Sequence, residues 1–212
     1  MEKIRLRLAK PSDTKQIAEI QYSLRKTHDV GIFSQMDKVF LKQYYNIVLN
    51  DPWEVIVCAE NEKGKIVGFN SSTLDAAKQM ETFRKYKFRL GIASITSIIR
   101  NPRLIKSLLD RYNSTKIGSN LHFVINYGAR GEFWAWKESE KDPIASIEMN
   151  AAYRAILRAL GVKELFYEVD SSNKKVIAIH KLNKDEIINT IKLPDGRERY
   201  LMKSDLTRKS II

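Results

Sequence analysis

The chain has 212 residues, 43% of them hydrophobic, and a formal net charge of +12. That is enough material for one compact domain with a substantial core, with no internal repeat, low-complexity tract or Pro/Gly/Ser-rich linker to divide it. The single Cys58 can form no disulfide within the chain, no apolar run approaches the ~20 residues that span a bilayer, and no charged segment followed by an apolar one precedes Ile4, so a reducing, cytoplasmic setting is expected.

In chain order, Ile4-Arg5-Leu6-Arg7-Leu8 alternates apolar and basic residues, the pattern of a strand with one buried face. Pro11-Ser12-Asp13 stops it and starts a helix that carries Ile17, Ile20 and Leu24 on one side. A second helix is predicted over Asp37 to Leu49, where Val39, Phe40, Tyr44, Ile47 and Val48 form an apolar stripe. Glu54 to Ala59, the turn Asn61-Glu62-Lys63-Gly64, and Lys65 to Phe69 read as a hairpin, with Cys58 as a small core residue.

The segment from about Asp75 to Ser119 differs in composition. Between Arg84 and Lys116 it holds nine basic residues against one acid, Asp110, so most of the +12 formal charge lies there. Interleaved apolar residues predict two amphipathic helices divided near Asn101-Pro102. Three readings stand side by side: a site for anionic phosphate groups, a face for an acidic membrane surface, or a lid with solvated Lys and Arg outside. Charge is the whole case for nucleic acid, since no RNP, helix-turn-helix or zinc motif accompanies it.

Leu121-His122-Phe123-Val124-Ile125 and Glu132-Phe133-Trp134-Ala135-Trp136 read as strands. After a polar loop, Ile147, Ala151, Ile156 and Leu160 recur at helical spacing from Ser146 to Leu160, and Gly161 provides the residue that takes positive φ at a helix end. Leu165 to Asp170 is a further strand, and Asn173 precedes a helix through Val176 to Leu182. Glu186 to Leu193, the turn Pro194-Asp195-Gly196, and Arg199 to Lys203 form a last hairpin, whose edge offers itself to a second subunit as a homodimer contact.

The order β-α-α-β-β followed by β-α-β-α resembles the GCN5-related N-acetyltransferases (GNAT). Asp170-x-x-Asn173-x-x-Val176-x-x-x-His180-Lys181-Leu182 is similar to that family's segment, with His180 where a Tyr is usual and Asn183 where a Gly is usual. The resemblance implies an α/β fold: one GNAT-like domain over residues 1–212 with a mixed, mostly antiparallel sheet, a splayed parallel strand pair, flanking helices and the helical insert at 75–119. It also implies acetyl-CoA in the gap between the splayed strands. The pyrophosphate loop would fall on Lys141-Asp142-Pro143-Ile144-Ala145-Ser146, with Ile144 where the first glycine belongs. Cofactor contacts are then expected from Trp134, Ala135, Trp136, Lys141, Ala145, Ser146 and Asn173.

Acyl transfer to an amine needs a base for the amine, a donor at the developing oxyanion and an acid for the thiolate. The resemblance places His180 as the acid and a backbone N–H near Trp134 to Trp136 as the oxyanion donor; Glu132 and His122 are candidate bases. Tyr127 and Tyr167 supply polar tips, and Glu148 suits the helix N-terminus. Three histidines and one cysteine lack metal-ligand spacing, so no metal is expected. No Gly-x-x-x-x-Gly-Lys-Ser/Thr, Gly-x-Ser-x-Gly or Gly-x-Gly-x-x-Gly is present. The expected activity is transfer of a short acyl group to a primary amine, with an amino sugar of a surface-polysaccharide pathway as the first acceptor. The alternative is a non-catalytic descendant that keeps the fold as a binding module.

Overall fold

A computed structural model of the chain describes residues 3–26, 31–114, 125–193 and 196–208. Seven strands form one sheet in the order β1-β2-β3-β4-β5-β7-β6: β1 Arg5–Leu8, β2 Glu54–Glu60, β3 Ile66–Thr73, β4 Ala129–Trp136, β5 Glu164–Asp170, β6 Glu186–Lys192 and β7 Glu198–Asp205. All neighbours are antiparallel except β4 and β5. The alternation in β1 has a specific outcome. Arg7 donates from Nε to Glu60 at 2.7 Å and from Nη1 to Asp13 at 2.7 Å, so a partly buried guanidinium ties the first strand to the hairpin and to the start of the first helix.

The helices are α1 Thr14–Ser23, the short α2 Ile32–Gln35, α3 Lys38–Val48, α4 Ala76–Lys85, α5 Lys87–Arg100, α6 Leu104–Ser114, α7 Pro143–Ala159 and α8 Lys174–Leu182. On one sheet face α1, α3 and α5 pack over Phe69 and Ala135, with Ile17, Leu41 and Tyr45 fully enclosed. On the other, Met149, Tyr153 and Leu157 of α7 cover Val57, Val67 and Leu165. A small cluster of Val169, Ile177 and Met202 seats α8 on β5 and β7.

Several expected boundaries move, each for a local reason. The helix predicted from Ser146 starts at Pro143, because Asp142 caps it by accepting from Ala145 N–H at 3.0 Å and proline at the first helical position costs no hydrogen bond. The proposed pyrophosphate loop is therefore in large part the first turn of α7. Its far end is as expected: Gly161 has φ +86°, and the N–H groups of Gly161 and Val162 reach back to Arg158 and Leu157. In the basic segment the two expected helices are α5 and α6, divided at Asn101 as the sequence suggests, and a further helix, α4, precedes them with a break at Tyr86 (φ −98°, ψ 13°). Of the strand predicted at Leu121 to Ile125, residues 121–124 lie outside the described residues, and Ile125 is not in a strand. In the C-terminal hairpin β7, not β6, pairs with β5, leaving β6 as the edge.

The parallel pair is brief. Ala129 pairs with Leu165 and Arg130 with Phe166, and there the ladder ends. From Gly131 onward β4 bonds only to β3, and from Tyr167 onward β5 bonds only to β7, so two strand edges with unpaired backbone groups diverge from a common root. Gly131 marks the root: a Cβ there would stand 2.4 Å from Cε1 of Tyr167, so only glycine lets that ring lie over the point of divergence. One residue later β4 bulges. Ser72 opposes Gly131 and Ser71 opposes Phe133, which leaves Glu132 as the extra residue.

Candidate functional site

The wedge between β4 and β5 opens into a cavity of about 1410 Å³ that reaches both faces of the sheet. Glu132, Trp134, Ala135, Glu168, Asn173 and His180 all contribute to its wall, so the divergence brings together side chains from β4, β5 and α8. The other expected residues are elsewhere. Trp136 lies over Gly68 and its indole donates to the Glu140 carbonyl at 2.5 Å. Lys141 is paired with Glu138, Ala145 is buried, and Ser146 Oγ accepts from the Trp134 indole at 3.1 Å. Asn173 accepts from Val176 N–H and so caps α8 as well as touching the cavity. His122 lies outside the described residues; Tyr127 and Glu148 are exposed.

His180 is held by a group its neighbouring sequence did not announce. Its Nδ1 is 2.7 Å from Asp185 Oδ2, and Asp185 also accepts from Ser204 Oγ at 2.6 Å and from the enclosed Arg154 at 3.3 Å. Burial pushes the Asp185 carboxyl up, but the hydrogen bonds from His180 and Ser204 and the Arg154 charge outweigh it and hold the group below the usual carboxylate range. An ionised Asp185 fixes Nδ1 as the donor, which leaves Nε2 as the ring atom for chemistry in the cavity. Tyr167 stacks at a tilt on the imidazole, centroids 4.5 Å apart, and its hydroxyl is driven well above the usual range by burial.

The opposite face is a chain of charged and polar groups. Arg130, 3% exposed, donates to Glu132 from Nε at 2.8 Å and to Gln79 from Nη2 at 2.6 Å, and Gln79 in turn donates to Glu54 at 2.7 Å. Burial, reinforced by the Glu132 charge, raises the Glu54 carboxyl well above its ordinary range. Glu168 accepts from Arg199 at 3.2 Å through Oε2, while its Oε1 is buried with no hydrogen-bond partner among the described residues. An enclosed carboxylate oxygen without a partner, on a residue that lines the cavity, leaves negative charge behind its wall that a cation in the cavity would offset.

The two ends of the wedge offer different groups to a ligand. The unpaired edges of β4 and β5 suit an extended chain carrying amides. The α7 terminus offers few free backbone N–H groups: Pro143 has no N–H, those of Ala145 and Ser146 are bonded to Asp142, and only the Ile144 N–H is left. Asp142 adds negative charge there. Across the opening, exposed Lys174 and Lys175 line the cavity and form no salt bridge among the described residues.

A seven-stranded sheet with one splayed parallel pair, a bulge in β4 and helices on both faces is the fold of the GCN5-related N-acetyltransferases. An N-acetyltransferase from Staphylococcus aureus Mu50 superposes with a TM-score of 0.61 at 14% identity, covering 96% of this chain and 99% of its own. A GNAT-family acetyltransferase from Streptococcus pneumoniae gives 0.59 at 11% identity, with 96% and 99% covered. The yncA protein of Salmonella typhimurium, solved with its cofactor acetyl-CoA, gives 0.60 at 10% identity over 99% and 98%. No protein-family model matches the sequence, and no curated protein does.

Of the residues expected from the sequence, His180 and Glu132 line the cavity; Glu168 and Arg130, which also line it, and Asp185 and Arg154, which lie behind it, were not expected. Glu168 did carry a signal, as a charge inside the strand Leu165-Phe166-Tyr167-Glu168-Val169. Asp185 carried none.

Proposed function

We propose that the chain is a divergent GNAT enzyme, one catalytic domain with a helical insert, that transfers an acetyl or other short acyl group from CoA to the nitrogen of a primary amine. The observation that carries this reading is the β4–β5 opening, at which a His–Asp pair from one sheet face meets Glu132 and Glu168 from the other. Bound in the opening, an acyl-CoA supplies the activated thioester; the chain's own groups hold the amine and move protons. Glu168 Oε1 and Glu132 attract a cationic amine. His180 as a neutral ring accepts a proton at Nε2, and as an imidazolium steadied by Asp185 it returns one to a leaving group. The bulge at Glu132 turns the β4 backbone, where an N–H serves as oxyanion donor. Lys174 and Lys175 take the part that the α7 terminus gives up in holding phosphates. Amino sugars belong to the acceptor class proposed, as small amines do in general.

The test is release of free thiol from acetyl-CoA by the purified chain with a panel of amino sugars, polyamines and free amino acids, run beside thermal unfolding with and without acetyl-CoA. Amine-dependent thiol release and a raised midpoint are the expected results. A raised midpoint without turnover on any amine favours the binding-module alternative, and no change in either measurement refutes both.

A further inference from the structure

Helix α5 is built inside out. Its core-facing side carries Ala93, Ser94 and Ser97, all buried, while Phe88, Ile92, Ile95 and Ile99 on the opposite side are 76%, 70%, 49% and 73% exposed. At about 100° per residue those four side chains fall within an arc of roughly 60°, a stripe about 16 Å long. The orientation is pinned by polar contacts. Ser97 Oγ accepts from Asp37 N–H at 2.9 Å, and Thr96 Oγ1 donates to the Asp37 carboxylate, which also caps α3. Rotating α5 to bury the stripe would break both contacts and drive four large side chains into space shaped for alanine and serine. The neighbouring α6 adds exposed Ile105 and Leu109.

Charge brackets this apolar stripe. On the α5 wheel Lys87 lies to one side, and Arg89 and Arg100 to the other, at about 100° from the centre line; all three are exposed and form no salt bridge among the described residues. The loop to α6 adds exposed Arg103, and α6 adds Lys106. We infer that the α5–α6 edge is a peripheral docking surface for an anionic lipid bilayer. The stripe enters the acyl boundary and the flanking Lys and Arg meet the headgroup phosphates.

The pattern chooses among occupants. A second copy related by a two-fold axis along this stripe would set each basic flank against its own kind. A nucleic acid offers phosphates but nothing for six exposed aliphatic and aromatic side chains in the middle of the contact. A lipid surface satisfies both parts, and the surplus positive charge of the chain, +12, favours approach to it. No helix among the described residues is long and apolar enough to cross a membrane, so the association is on the surface. Leu90 and Ser94 on the inner side of α5 line the main cavity. Docking would thus set the cavity wall directly behind the bilayer contact.

The test is cosedimentation of the full chain, without acyl donor, with vesicles of phosphatidylcholine alone and of phosphatidylcholine with phosphatidylglycerol. Binding to the anionic vesicles at low salt, lost in high salt and absent from the neutral ones, is expected. Lys87→Gln, Arg89→Gln and Arg100→Gln should each weaken it about fivefold. The Ile92→Gln/Ile99→Gln pair should weaken it at least about tenfold with an unchanged unfolding midpoint, since both side chains are already in solvent. The proposal fails if the chain ignores anionic vesicles at low salt or if the Ile pair binds as well as wild type. It also fails if wild type is a dimer that the Ile pair converts to monomer, which would show that another copy covers the stripe. A His180→Phe chain should bind vesicles as wild type does, so a failure here is distinct from a failure of the acyltransferase reading.

Discussion

Replacing Asp185 with asparagine removes a charge that three donors share: His180 Nδ1 at 2.7 Å, Ser204 Oγ at 2.6 Å and Arg154 Nη1 at 3.3 Å. The Asp185 and Arg154 side chains are 1% and 2% exposed, so the variant strands a guanidinium in the interior. Taking away one partner of a buried pair costs about 3–5 kcal/mol, and at about 2–4 °C per kcal/mol for a domain of this size the unfolding midpoint should fall by about 6–20 °C. Urea unfolding measures the energy directly. A second variant, Arg154→Met/Asp185→Leu, removes both charges and should lose less than Asp185→Asn alone, because no uncompensated ion is left. The pH dependence has a definite sign. Because the folded-state Asp185 carboxyl sits below its ordinary range, its contribution is complete above that range and is lost as pH falls through the lowered value. The wild-type curve should therefore decline in acid, where that of Asp185→Asn is flatter. A loss below about 1 kcal/mol for Asp185→Asn, or a double variant no more stable than the single one, would refute the claim that this pair holds α7, α8 and β7 together.

Other consequences can be checked separately. His180→Phe should lower turnover by at least about a hundredfold while leaving the thermal shift produced by acetyl-CoA intact; full turnover would remove the ring from the chemistry. Glu168→Gln should raise KM for a cationic amine about tenfold with little change in kcat, as expected for a carboxylate that holds the acceptor. Gly131→Ala should cost about 1–3 kcal/mol, because the new methyl meets the Tyr167 ring, and a neutral result in urea would mean the ring is free to move. Cys58 is fully enclosed and burial pushes its thiol up to about 12, so a thiol reagent at neutral pH should label it only after unfolding, and fast labelling of the native chain would contradict its core position.

The features legible in the sequence were those with a local cause. Gly161 announced the end of α7, Asn173 the start of α8, and alternation the first strand, because each of these acts within a few residues. The start of α7 was misplaced for an instructive reason. Counting back by a family pattern put a loop over residues whose own chemistry, Asp142 as cap and Pro143 at the first position, starts a helix. Glu132 and His180 could be picked out by position along their elements. Their partners could not: Arg154 and Asp185 are 31 residues apart, and their meeting depends on how α7 and α8 cross the sheet. The extent of the β4–β5 ladder was equally hidden, since two paired positions or six leave the same apolar pattern in each strand.

The strand opening and the terminus of α7 bear on different parts of a donor molecule. The opening itself is maintained from within: Tyr167 over Gly131 marks its root, Arg154–Asp185 ties the helices beside it, and Arg130 links Glu132 to Gln79 on the far face. The Arg154–Asp185 and Arg130–Glu132–Gln79 contacts are buried and polar, and each loses most of its worth if one member is removed. Zipping β4 to β5 would satisfy the unpaired backbone groups at once, so the cavity lined by His180 and two glutamates is held open against a local alternative. At the α7 terminus only the Ile144 amide is left, so affinity for a diphosphate there has to come mainly from side chains, which are strongly screened by salt where exposed. Donor affinity in this chain should accordingly fall with ionic strength more steeply than in a relative with an amide cradle, and acetyl-CoA thermal shifts measured across a salt series would decide it.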